Sequence, residues 1–241
     1  VHCAGRKEMG VLEEVPWGKM GSVGVAVAVA LFALRLPLTP QRKVVDNEIA
    51  RATRRLPCIG CWLPPMQVNP SKRAGEIFSL LYAPIWIGEV VVVIALKLYE
   101  DFAKYDGIGY LLFGIIVAAP LFLWPALFPL SLDKSSGLPW HQQYIFKANL
   151  WIAIFSFIGN YWYTHYFYHV LKADYTFPAH RLNDVPIGLY LMTHAYFMFY
   201  HGLSNAALRM IRTSFEANRS RYLYEAAVIV AMSYTTAFME T

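Results

Sequence analysis

Charge is what this sequence has little of. Asp, Glu, Lys and Arg make up 15% of its 241 residues, against about 25% in an ordinary soluble domain. A soluble fold must show water a polar face on every element, which interrupts its apolar runs every few residues; runs long enough to cross a bilayer exclude that class here. Cysteine is scarce too. Cys3, Cys58 and Cys61 all precede the long apolar region, so no disulfide framework staples the later segments. Cys58-Ile-Gly-Cys61 has redox or half-zinc spacing, but no second pair and no histidine at finger spacing follows, and the reading is two incidental thiols in a linker. Acidic residues are few enough to leave a formal charge of +5 and a pI near 9.0. The basic residues sit between apolar runs rather than in an aromatic-interleaved groove, so nucleic acid is excluded as a partner. No internal repeat is visible, which argues against a transporter built on inverted repeats.

What is present is hydrocarbon. Hydrophobic residues reach 57% and aromatics 16%. Five long apolar stretches, at about 77–98, 110–132, 148–168, 187–207 and 222–239, each approach the ~20 residues that span a bilayer as a helix. The fold class expected is all-α, a polytopic transmembrane helix bundle of about five spans, with a possible N-terminal hydrophobic segment at 21–34. That segment reads equally as an anchor, a signal-like stretch or a leader foreign to the rest. Residues 1–67 form a leader and basic linker, and 68–241 a membrane-embedded domain. The start at Val1 and the stop right after an apolar helix suggest a piece of a longer chain. Lys and Arg number thirteen on one set of connections and four on the other, which places the 37–76 linker and the 209–221 loop in the cytosol. Pro120, Pro125 and Pro129 in the second stretch each remove a backbone donor, so that helix is expected to kink or break, as membrane helices do where they line a cavity.

Polar side chains inside these stretches need partners or a purpose. Asn149, Ser156, Asn160 and Thr164 share one helical face, with His165 and His169 on another. His194 and His201 stand seven apart, followed by Ser204 and Asn205. Glu89 lies mid-run in the first stretch, Glu225 opens the fifth and Glu240 closes it. Such residues often only bond neighbouring helices, and Trp or Tyr at span ends often only anchor the interface. Two chemistries fit the set. A di-iron oxidase is disfavoured because such proteins carry more histidines, with adjacent pairs, and none are adjacent here; no metal is expected. The alternative is metal-free acid–base work in an apolar cavity. A buried carboxylic acid holds its proton, imidazole accepts one near neutrality, and aromatic faces steady a cation.

From Asn69 onward the chain resembles the cycloeucalenol cycloisomerase family of plant and algal sterol synthesis. The resemblance rests on Asn69-Pro-Ser-Lys-Arg73, Lys97-Leu-Tyr-Glu100, Lys147-Ala-Asn-Leu-Trp-Ile152, Gly159-Asn-Tyr161, Thr164-His-Tyr-Phe167 and Tyr175-Thr-Phe-Pro178. It continues through Val185-Pro186, Thr193-His194, Phe199-Tyr-His201, Ser204-Asn205, Glu225-Ala-Ala227 and Glu240-Thr241. Glu89 lies outside these islands. The resemblance implies opening of the 9β,19-cyclopropane ring of a 4α-methyl cyclopropyl sterol, cycloeucalenol giving obtusifoliol, without cofactor, in the endoplasmic reticulum membrane. The partners implied are the sterol and the lipid bilayer; the oligomeric state is left open. On the residue reading, Glu225 or Glu240 is the candidate proton donor, and His165, His194 or His201 the base or relay. Tyr161, Trp162 and Tyr200 are expected to flank the cation, with Asn160 and Asn205 as further substrate contacts. The competing readings are a membrane lipid or sterol transporter or binding module, and the His-rich oxidase.

Overall fold

The computed structural model describes residues 17–40, 59–104, 107–128, 131–164, 170, 172 and 177–239. The described residues are mostly helical and fall into two compact units, Lys43–Thr213 and the pair Val1–Arg42 with Ser214–Thr241.

In the first unit of the chain, α1 (Trp17–Arg35) packs with the last helix, α8 (Arg219–Met239). A bridge between Pro40 and Phe215 and the bond from the Glu216 amide to the Thr39 carbonyl, 3.0 Å, tie the two together. The 21–34 stretch is thus a helix with a packing partner inside its own unit.

The larger unit carries the rest. Helix α2 (Pro70–Ala95) starts where the sequence provides for it: the Asn69 side chain accepts from the Lys72 amide at 2.9 Å, and Pro70 occupies the first turn, where a missing N–H is harmless. Short α3 (Leu98–Ala103) leads to α4 (Ile108–Leu127), then short α5 (Ser131–Ser136) and a 3₁₀ turn at Trp140–Gln142. Helix α6 (Tyr144–Ile158) follows and widens into a π turn at Gly159–Tyr163. A two-residue ladder, β1 (Arg181–Leu182) against β2 (Val185–Pro186), precedes the long α7 (Ile187–Ser214). The Ser71 hydroxyl accepts from the Tyr144 amide at 2.9 Å, so the motif that starts α2 also satisfies an orphan donor at the start of α6.

Helices α2 and α4 are the two described helices long and apolar enough to cross a membrane. Their most apolar stretches have a mean hydropathy of 2.1, yet bury only 22% and 28% of their residues. A core helix of a soluble protein would be mostly covered; here the apolar surface faces outward. Of the five expected spans, then, two qualify on composition and length. The described parts of the other three stretches lie in α6 with its π turn, in α7 and in α8. The α-helical part of α6 ends after 15 residues, where the π turn begins, while α7 and α8 carry histidines, arginines or a glutamate in their length. The proline-rich stretch neither stops at Pro120 nor at Pro125; α4 runs through both and ends at Leu127. Pro129 lies outside the described residues. Where α4 meets α7 the backbones nearly touch, since a Cβ on Gly114 would lie 2.7 Å from the Gly188 carbonyl oxygen. Small residues at helix crossings serve this purpose in membranes. The core below the crossing is built from Tyr82, Val117, Leu121, Ile145, Ile152 and Met198.

Cys61 is disulfide-bonded, which corrects its reading as an incidental thiol; Cys58 lies outside the described residues.

Candidate functional site

The larger unit holds a cavity of about 570 Å³ between α2 and α4, within the range of small-molecule sites. Its walls are apolar: Ala74, Phe78 and Ile85 of α2 face Ile116, Pro120 and Trp124 of α4. Two polar side chains reach it. Tyr82 donates its hydroxyl to the Val117 carbonyl at 2.8 Å, leaving Glu89 as the carboxyl among the described lining residues. Glu89 Oε2 is buried and makes no hydrogen bond. Leu81, Ile85, Ile116 and Trp124 are at the same time exposed on the outer surface, so the cavity opens sideways, toward the surroundings of the apolar helices.

On the other face of α4 a polar chain grows from one proline. Pro125 has no N–H to give the Leu121 carbonyl, its partner one turn back. The Asn149 amide supplies that donor from α6, at 3.1 Å, and gives its second proton to Ile145 at 2.9 Å. With both amide protons committed to carbonyls, Asn149 Oδ1 is the atom that faces His194 Nε2 at 2.9 Å. The imidazole must therefore donate from Nε2, and in the neutral ring the lone pair is on Nδ1. That Nδ1 is buried and accepts from nothing. Phe122 lies face to face with the ring, centroids 4.4 Å apart. A small void of about 140 Å³ adjoins Asn149, Phe122 and Pro125.

His201 is arranged the opposite way. Asn205 donates to the His201 carbonyl at 2.9 Å, which fixes its amide nitrogen toward His201 Nε2 at 3.2 Å. Tyr144 Oη lies 2.9 Å from the same nitrogen. The lone pair of His201 is thus already engaged, whereas that of His194 is bare. Neighbouring this group, Glu76 is 1% exposed and receives both arms of the Arg209 guanidinium, at 2.6 and 2.8 Å. Arg209 also donates to the Trp62 carbonyl at 2.7 Å, and Lys72 stands 3.8 Å from Glu76. This fork joins α2, α7 and the segment before α2.

The remaining expected residues divide as follows. Asn160 is buried in the π turn, donates to Ser156 at 2.8 Å and accepts from the Thr193 hydroxyl at 3.4 Å. Tyr161 stacks on Phe157, and its carbonyl accepts from Asn183. Tyr200 packs edge-on to Tyr196 at 4.3 Å. Trp162 is 58% exposed, directed away from the helix core. Glu225, in the other unit, meets Arg221 at 3.2 Å, one helical turn away. His165 and Glu240 lie outside the described residues. Neither His194 nor His201 is among the walls of the large cavity, and among the described residues no three His, Cys, Asp or Glu side chains gather as a metal ligand set. Glu89, Asn149, Tyr144, Glu76 and Arg209 were not singled out as site residues from sequence. For Glu89 the signal was on the page, a lone carboxyl in an apolar run.

No protein-family model matches the chain, and no solved structure matches it. A search of characterised proteins finds cycloeucalenol cycloisomerase of Arabidopsis thaliana, 44% identical over 183 residues, 75% of this chain and 62% of the relative. The chain thus spans less than two thirds of that relative's length. It carries a family-level resemblance to cycloeucalenol cycloisomerase, an enzyme.

Proposed function

We propose that this chain is a membrane-embedded sterol isomerase that opens the cyclopropane ring of a 4α-methyl cyclopropyl sterol, cycloeucalenol giving obtusifoliol. The reading includes five membrane spans and a place in the endoplasmic reticulum membrane. What carries it is the apolar cavity between α2 and α4, open on its outer side, together with the likeness to an enzyme of that name. A water-insoluble, nearly featureless hydrocarbon needs such a chamber, and lateral opening lets it enter from lipid.

The reaction needs one acid and one base. A general acid adds a proton to the ring methylene, the bond from that carbon to carbon 9 breaks, and the methylene becomes the angular methyl group. The cation left at carbon 9 is discharged when a base takes the proton on carbon 8, and the released electron pair forms the 8,9 double bond. Atoms are conserved and no electrons are exchanged with a partner. Of the two described candidate bases, His194 keeps a free Nδ1 lone pair, whereas that of His201 is engaged by Tyr144 and Asn205. Neither lines the cavity between α2 and α4, so the base role of His194 rests on the sequence reading and on that bare lone pair, not on contact with the cavity. Asn149 is then a positioning residue that holds the ring in the required tautomer. The donor role of Glu225 or Glu240 rests on the sequence reading alone, as do the contacts of Tyr161, Trp162, Tyr200 and Asn160 with the substrate.

The test is expression in a host lacking its own isomerase, with microsomes fed cycloeucalenol and sterols resolved by gas chromatography. The chain should yield obtusifoliol. A base in a dry site contributes about 10²–10⁴-fold, so His194→Gln should reduce turnover by at least about a hundredfold, and His201→Gln by less. Unchanged cyclopropyl sterol with the parent chain would refute the isomerase reading.

A further inference from the structure

The cavity is long rather than round. Its lining on α2 runs from Ala74 to Glu89, fifteen residues or about 22 Å of helix axis at ~1.5 Å per residue. All of that wall is hydrocarbon except near one end, where Glu89 presents a carboxyl whose Oε2 is buried and unpartnered. Tyr82, the other polar side chain in the lining, has already given its proton to Val117, so nothing among the described wall residues satisfies Glu89. An ionisable side chain at this depth of an apolar helix is expensive to keep and implies a use. A ligand matching the wall is an elongated hydrocarbon with one hydroxyl at its end.

We infer that Glu89 is the specificity-determining polar end of this slot and accepts a hydrogen bond from the terminal hydroxyl of the bound sterol. The inference rests on the sterol reading above and adds the direction in which the sterol lies. The hydroxyl goes to Glu89 and the hydrocarbon runs along α2 toward Ala74. A carboxyl oxygen accepts from an O–H in either protonation state. A ligand with no polar group at that end leaves Oε2 without a partner, so discrimination comes from the unmet group.

Trp124 lines the same cavity, which makes binding readable by energy transfer from tryptophan to a fluorescent sterol. The purified full chain in phosphatidylcholine nanodiscs is titrated with a conjugated-triene 3β-hydroxy sterol and with its 3-deoxy analogue. A Trp124→Phe variant identifies the transfer that comes from this cavity. The parent chain should bind the hydroxyl form about tenfold more tightly than the 3-deoxy form. Glu89→Leu should abolish that preference, bringing both ligands to the affinity of the 3-deoxy form, and Glu89→Gln, which keeps a carbonyl acceptor, should retain it. Equal binding of both ligands by the parent chain, or a preference that survives Glu89→Leu, overturns the assignment. Turnover of cycloeucalenol is measured on the same preparation. Selective binding that depends on Glu89 without turnover would support this anchor while removing the isomerase reading, so the two fail separately.

Discussion

Replacing Asn149 by leucine probes the joint at which the proline-broken ladder of α4 meets the candidate base. The substitution keeps size and apolar character but deletes two contacts between helices: the donor to the Leu121 carbonyl at 3.1 Å and the acceptor for His194 Nε2 at 2.9 Å. Asn149 is 4% exposed and His194 3% exposed, so water does not replace either partner. Interhelical side-chain bonds in bilayers average only about 0.6 kcal/mol, because unfolded segments find other partners; two such bonds set a floor near 1.2 kcal/mol. A buried group left unsatisfied costs about 1–3 kcal/mol in place of that floor, so the two groups together should cost about 2–6 kcal/mol. Unfolding in mixed micelles, followed by near-ultraviolet circular dichroism, measures it. The reasoning has an internal control. Pro125→Ala restores an amide that can reach Leu121, so in that background Asn149→Leu should be milder by about 1 kcal/mol, the net value of one hydrogen bond. A loss under about 0.5 kcal/mol, the usual scatter between independent sites, or an equal loss in both backgrounds, would refute the proline-to-asparagine argument.

Arg209→Met removes the two-armed cation of buried Glu76 and leaves only Lys72, 3.8 Å away, and breaking such a pair from one side should destabilise the larger unit by about 3–5 kcal/mol. The double variant with Glu76→Leu should recover most of that, both read as unfolding midpoints in the same micelles. Asp133, outside the spans, has its carboxyl pushed up by burial, opposed in part by the Ser71 hydroxyl. A carboxyl raised in the folded state favours folding when protonated. That advantage is full below 3.8, its ordinary value, and is lost as pH rises toward the folded value. Asp133→Asn should therefore raise the melting temperature at pH 7 and leave it nearly unchanged at pH 3; a lower melting temperature at pH 7 would contradict this. Gly114→Leu sets a side chain against the Gly188 backbone and should abolish folding or shift the α4–α7 crossing, detected as lost protease resistance, whereas Gly88→Leu, with open space around it, should be tolerated.

The parts of this structure visible in sequence are those governed by neighbours along the chain. The prolines announced an irregular α4, though α4 absorbs Pro120 and Pro125 and ends only at Leu127, while the Asn69-Pro70 cap that starts α2 ahead of the expected 77–98 stretch emerged only from the structure. A carbonyl left bare by Pro125 could be foreseen; that Asn149 would reach it could not, because that depends on how α6 is rotated against α4. The same rotation separates His194 from His201. Both were candidate bases at a spacing of seven, yet their lone pairs differ because one faces a side-chain oxygen and the other a side-chain nitrogen and a tyrosine hydroxyl. Glu76 gave no signal, since it looked like the last residue of a solvated linker, and its partner Arg209 is 133 positions away. Glu89 was noticed as an oddity among the apolar residues. Only the facing wall of α4 shows that it ends a cavity.

The central claim is most directly tested by isotope. Membranes carrying this chain, from a host without its own isomerase, are given cycloeucalenol in deuterium oxide, and the product is examined by mass spectrometry and deuterium NMR. An acid that exchanges with solvent and a separate base should deliver obtusifoliol with one deuterium in the newly formed angular methyl group. Recovery of unchanged cycloeucalenol, or of obtusifoliol with no deuterium in that methyl, would contradict the account.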